Sequence, residues 1–175
     1  AAVARFKSYL HTCFHMKDLG KLKYFLGLEV ARGKEGIFLS QRKYALDIVI
    51  EAGLLGYKLV FLPMEQNHGL ALDTSEYMAH PDQYRRLVGR LIYLTITRPE
   101  LCYVVHTLAQ FMQSPRIRHW EAALRVVHYL KGQPGQGILL WADKDLQVKG
   151  FCDFDWARCP LTRRSLTGYF ILLGN

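Results

Sequence analysis

Acidic residues are scarce in this sequence: its 175 residues hold 15 Asp and Glu against 23 Lys and Arg, and no acid follows Asp155. The resulting net charge of +8 excludes an acidic disordered tail. Cysteine is sparse as well. Cys13, Cys102, Cys152 and Cys159 show no Cys-x-x-Cys spacing, which argues against a disulfide framework or a zinc ribbon in a chain of this length. No apolar run approaches the roughly 18 residues that span a bilayer, and Arg5, Lys7 and His11 interrupt what could otherwise pass for an amino-terminal signal. The expectation is a soluble protein of a reducing intracellular compartment, cytoplasmic or nuclear, with no membrane partner. Catalytic signatures are thin too. There is no Gly-x-Ser-x-Gly elbow, and the Gly-Gln-Pro-Gly-Gln-Gly run at 132–137 precedes a strand pattern rather than a helix N-terminus, so it is no phosphate cradle. His11, Cys13 and His15 do not make a zinc site, because a helix does not aim positions i, i+2 and i+4 at one point.

Half of the residues are hydrophobic and 13% are aromatic, ample material for a core. The charge is unevenly spread. Residues 1–60 carry 10 basic and 5 acidic side chains, 61–82 carry none and 4, 83–133 carry 8 and 2, and 134–175 carry 5 and 4. Two basic blocks therefore flank an acidic loop. A polyanion partner and a merely soluble basic surface both fit that distribution.

Hydrophobic periodicity orders the chain. Val3, Phe6, Tyr9, Leu10 and Cys13 have helical spacing, broken by Asp18, Leu19 and Gly20. Residues 22–30 and 37–39 read as the two strands of a hairpin about the turn at 33–36, and Ser40 as the N-cap of a helix ending at Gly53. Residues 54–80 lack a period and read as a long connection, the natural internal seam. Pro81 opens the strongest helical pattern, with Tyr84, Leu87, Val88, Leu91 and Leu94 on one side. Further helices are expected from Pro99 to about Met112 and from about His119 to Lys131. Composition changes at 132–137. Beyond it, strands are expected at 137–141, 148–154 and 166–173, with turns at 143–145 and 158–164.

Two constellations could carry function. Asp153 and Asp155 lie two apart in an extended run and so share a strand face, where both could approach one cation, although one or two carboxylates hold a magnesium ion weakly. A solvated strand face explains them as well. On the helix from Pro81, Arg85, Gly89 and Tyr93 are spaced by four and form a stripe away from the leucine face. A glycine in mid-helix costs about 1 kcal/mol relative to alanine, which suggests that something approaches the backbone there; helix–helix packing or a nucleic-acid groove would serve equally.

Several ordered blocks carry a resemblance: Met16-Lys-Asp-Leu-Gly20, Lys23-Tyr-Phe-Leu-Gly-Leu-Glu-Val30, Ile37-Phe-Leu-Ser-Gln41, Pro63-Met-Glu65, Tyr84-Arg-Arg-Leu-Val-Gly-Arg-Leu-Ile-Tyr93, Thr97-Arg-Pro99, Trp120, Tyr129-Leu-Lys-Gly132 and Cys152-Asp-Phe-Asp-Trp-Ala157. Nearly end to end, the chain resembles the Pol polyprotein of copia-type LTR retrotransposons, from just after the polymerase active-site strand into the start of ribonuclease H. The fold implied is α+β: the end of a palm with the primer-grip hairpin over 1–60, a helical thumb or connection segment over 61–133, and a truncated ribonuclease H-like sheet over 134–175. Tyr24, Phe25 and Gly27 would then lie in the primer grip, and Arg85, Gly89 and Tyr93 would track the groove of an RNA–DNA or DNA template–primer duplex. Asp153 falls on the first metal-binding aspartate of ribonuclease H, so the implied cofactor is Mg2+. The family's Tyr-x-Asp-Asp strand would lie before Ala1, and no Asp-Asp pair occurs in the sequence. Phe154, Arg158, Leu161, Leu59, Phe61 and Leu62 depart from the family pattern and suggest a decayed or truncated copy. The implication is a duplex-holding fragment inactive alone, with the remainder of a Pol polyprotein as a partner. A non-catalytic nucleic-acid-binding protein and a functionless open reading frame are the alternatives.

Overall fold

A computed structural model describes residues 2–17, 20–56, 58–142, 147–157 and 163–174. The first helix, α1 (Ala2–Cys13), buries no residue and leaves Val3, Phe6 and Tyr9 exposed. Next come β1 (Tyr24–Phe25), β2 (Leu28–Arg32) and β3 (Gly36–Ser40), consecutive antiparallel neighbours. The single extended run that composition suggests over 22–30 is thus broken. Leu26 and Gly27 have φ of 49° and 79°, the two left-handed residues that a two-residue type I′ hairpin requires. Leucine rarely adopts that conformation, so the pattern of apolar residues hid the turn.

A second difference concerns β4 (Gly137–Trp141). The composition change at 132–137 groups it with the later strands, yet it pairs with β3, from Ser40↔Gly137 to Gly36↔Trp141. The chain is returned there by α5 (Ile117–Gly132), which packs on α2 (Arg42–Glu51) directly after β3. Glycine at 137 permits the approach, since a Cβ would strike the Leu39 carbonyl. The four strands form one sheet in the order β1, β2, β3, β4.

One hydrophobic core also crosses the expected seam at 54–80. Ile48 and Val49 of α2 meet Leu87, Val88, Leu91 and Leu94 of α3 (Pro81–Leu94), Val104, Val105 and Leu108 of α4 (Cys102–Ala109), and Val126, Val127 and Leu130 of α5. Tyr84 is fully buried, its hydroxyl donates to the Leu108 carbonyl at 2.7 Å, and burial pushes its phenol pKa up. The Pro99–Leu101 turn is a 3-10 helix that leads into α4, so the helix expected from Pro99 is divided in two. Ser40 ends β3 instead of capping α2. Gln41 occupies the cap position, and its side-chain oxygen accepts from the Thr97 hydroxyl at 2.9 Å.

Among its described residues the connection holds a single short 3-10 turn, Leu70–Leu72, and it is anchored to α5. His119 Nδ1 accepts the Arg116 amide at 3.0 Å, which leaves the proton on Nε2 for the Leu70 carbonyl, also at 3.0 Å. Arg125 reaches Glu65 at 2.8 Å. Strands β5 (Val148–Asp155) and β6 (Leu166–Leu173) make a separate antiparallel hairpin in the register Val148↔Leu173 to Asp155↔Leu166. The architecture is therefore mixed α and β with antiparallel sheets. The break expected at Asp18 and Leu19, the turn at 143–145 and most of that at 158–164, with Arg158 and Leu161, lie outside the described residues. Among the described residues no helix is long and apolar enough to cross a membrane.

Candidate nucleic-acid interface

The tip of the β1–β2 hairpin rests on α3. Tyr93, on the last turn of that helix, donates its hydroxyl to the Leu26 carbonyl. Its ring lies 3.6 Å from the position a Cβ would take on Gly27. Tyr44 of α2 meets the Tyr93 ring edge-on, with centroids 5.3 Å apart. Arg90 stands 5.0 Å over the Tyr44 ring and is ion-paired with Glu51 at the end of α2. Gly27 and Tyr93, expected in separate elements, thus form one junction. Tyr24 and Phe25 in β1 are more than half exposed beside it.

The rest of the α3 stripe divides. Gly89 is exposed, and apart from its chain neighbours and the backbone of its own helix no atom among the described residues lies within 4 Å of where its Cβ would be. Helix–helix packing therefore does not account for this glycine. Arg85, in contrast, already has protein partners: Nε donates to the Met112 carbonyl at 2.9 Å, one terminal nitrogen to the Gln113 carbonyl at 3.1 Å, and the other to Asp82 at 2.8 Å. It holds the chain just after α4 against α3. Nothing local signals this, because Met112 is 27 residues away. Sequence reasoning also missed Leu26, Tyr44 and Arg90, whose contacts join residues 39 or more positions apart and leave no local signal.

Electrostatics are redistributed by folding. Of the 8 basic residues at 83–133, five (Arg85, Arg90, Arg98, Arg118 and Arg125) are ion-paired within the chain. The acidic loop supplies Glu65 and Asp73 to two of these pairs. Burial works to raise the Asp73 pKa, but hydrogen bonds from the Ser75 hydroxyl and amide, with His119 and Arg118 nearby, outweigh it and hold the carboxyl below its ordinary value. The acidic loop is thus turned toward α5. Lys21 and Lys23, just before the hairpin, and Arg86, next to Arg85 on α3, are exposed.

Asp153 sits exposed on β5 opposite Gly168. Asp155, half-buried, borders an open cleft shared with His68, His106, Arg164 and Ser165. Among the described residues no group of three or more His, Cys, Asp or Glu is gathered to hold a metal. An octahedral magnesium ion needs more oxygen donors than one exposed strand aspartate offers, so these residues do not fit a catalytic Mg2+ site.

Residues 1–66 match the family described as reverse transcriptase (RNA-dependent DNA polymerase). An uncharacterized mitochondrial protein of Arabidopsis thaliana is 40% identical over 165 residues, which is 94% of this chain and 68% of the relative. The retrovirus-related Pol polyprotein from transposon RE2 of the same plant is 40% identical over 162 residues, covering 93% of this chain. That from transposon TNT 1-94 of Nicotiana tabacum is 30% identical over 177 residues, covering 95%. The chain spans 11% of the first polyprotein and 13% of the second. No solved structure matches the chain.

Proposed function

The chain belongs to the reverse transcriptase family of copia-type, retrovirus-related Pol polyproteins, and on that premise we propose that it is the duplex-holding part of such a polymerase. In this reading the β1–β2 hairpin with Tyr24, Phe25 and Gly27 is the primer grip, and α3 is the thumb helix laid along the minor groove of an RNA–DNA or DNA template–primer duplex. The observation that carries the reading is the bare backbone at Gly89, open to solvent on the same helix face as Tyr93. A helix without a side chain at its closest point can approach a groove floor, and such contacts read backbone and shape rather than base sequence. Residues 1–60 would supply the palm end and grip, 61–133 the thumb, and the ribonuclease H-like start would begin after β4 rather than at 134, since β4 completes the hairpin sheet.

Chemistry is assigned elsewhere in the polyprotein. The sequence has no Asp-Asp pair, and among the described residues no third His, Cys, Asp or Glu joins Asp153 and Asp155 in a group that could hold a metal. The chain alone is therefore expected to incorporate no nucleotide on a primed RNA template and to cleave no hybrid RNA. Binding is the decisive test. Most arginines of the 83–133 block are spent internally, so the phosphate-neutralising charge would come from few residues, Lys21, Lys23 and Arg86 among them. Three such contacts give a log–log salt dependence with a slope of about −3 on hybrid duplex. A salt-independent response, or no binding at low salt, would sink the proposal.

A further inference from the structure

The type I′ turn at the hairpin tip is poorly encoded by its own sequence. Such turns favour Asn-Gly or Gly-Gly, because both central residues sit at positive φ. Here the first is leucine, at φ 49° and 68% exposed, so its side chain gains almost nothing from the fold to offset the conformation. The visible compensation comes from α3, 67 residues away, where the Tyr93 hydroxyl takes the Leu26 carbonyl. Left-handed geometry at Leu26 goes together with that carbonyl facing Tyr93. Gly27, at φ 79°, brings no Cβ between the turn and the ring. Tyr93 is itself fixed from behind by the Tyr44 edge contact, and Tyr44 by Arg90, which is paired to Glu51.

We infer that Tyr93 is a positioning residue: its hydroxyl locks the hairpin turn to α3 so that the two elements engage duplex as one rigid jaw, in place of meeting the nucleic acid through that hydroxyl. This deepens the duplex-holding reading and rests on it. The lock is physically economical, since a single hydrogen bond at the tip restrains both the strained residue and the angle between hairpin and helix. It also explains why a left-handed leucine is tolerated at an exposed turn.

The test uses Tyr93→Phe, which keeps the ring and its packing on Tyr44. Its melting temperature should fall by no more than about 2–4 °C, the worth of one ordinary hydrogen bond in a chain of this size. Backbone 15N order parameters at Leu26 and Gly27 in the free protein should drop from the rigid range of about 0.85 toward the flexible range below about 0.6. Affinity for hybrid duplex should fall about five-fold, the worth of one ordinary hydrogen bond. Adding Leu26→Asn, which supplies the Asn-Gly sequence that forms this turn unaided, should then restore both turn order and affinity. A turn that stays ordered in Tyr93→Phe overturns the inference, as does a loosened turn with undiminished affinity. If the double variant regains order without affinity, the hydroxyl acts on the duplex directly, which also overturns it. Failure of the parent to bind duplex would refute the proposed function instead, while the order parameters still decide whether the lock exists.

Discussion

Gly89 offers the sharpest separation between a structural and a functional cause. Replacing it with alanine puts a methyl group where nothing beyond its chain neighbours and its own helix backbone lies within 4 Å, in a helix whose φ at this position is not positive. Removing a flexible residue from a helix interior should then stabilise the free protein by about 0.4–1 kcal/mol. For a chain of this size that is a rise in melting temperature of about 1–4 °C. Valine adds bulk but loses most of that gain to its β-branched side chain, so Gly89→Val should be close to neutral. Binding should move the other way. Forcing a side chain into a close-packed contact costs about 1–3 kcal/mol, which is roughly five- to 150-fold in affinity for hybrid duplex, with valine worse than alanine. Calorimetry and fluorescence anisotropy on the same preparations measure the two effects. Arg86→Ala, exposed and off the stripe, is the control and should lose only a phosphate-scale contribution. Alanine and valine variants that bind as tightly as the parent would refute the groove assignment; an alanine variant that melts lower would refute the open environment at Gly89.

Arg85→Ala should lower stability as well as duplex affinity, because the guanidinium ties Met112 and Gln113 to α3; a melting curve identical to the parent's would contradict that anchoring. Arg98 is 1% exposed, paired with Glu100 at 2.5 Å and bonded to the Gln133 carbonyl at 2.8 Å, so Arg98→Ala should cost on the order of 3 kcal/mol in denaturant unfolding, and a loss below about 1 kcal/mol would show the pair to be dispensable. Asp73 has a lowered pKa in the folded chain, so its contribution to stability is fully present above its ordinary pKa and is lost as pH falls through the folded value; the stability gap between parent and Asp73→Asn should therefore narrow in acid, and a constant gap would refute the sign.

The sequence by itself determined the helices with a strong apolar period, the β2–β3 hairpin and the family. The α3 face of Tyr84, Leu87, Val88, Leu91 and Leu94 is buried as its spacing dictates, and α1, β5 and β6 lie where local patterns put them. These features are legible because each depends on residues a few positions apart. Tertiary structure alone decided the rest. It broke the strand at Leu26, where a residue ill-suited to left-handed geometry is held by Tyr93, and it joined β4 to β3 across about a hundred residues. It spent five of the eight basic side chains in the 83–133 block on internal ion pairs, so that charge counted along the chain overstated charge offered to a partner. It also tied the exposed Arg85 to the Met112 and Gln113 carbonyls and left Gly89 bare. Spacing by four puts both on one helix face, but what occupies the space beside each is set by chain 25 or more residues distant, and no local period carries that information.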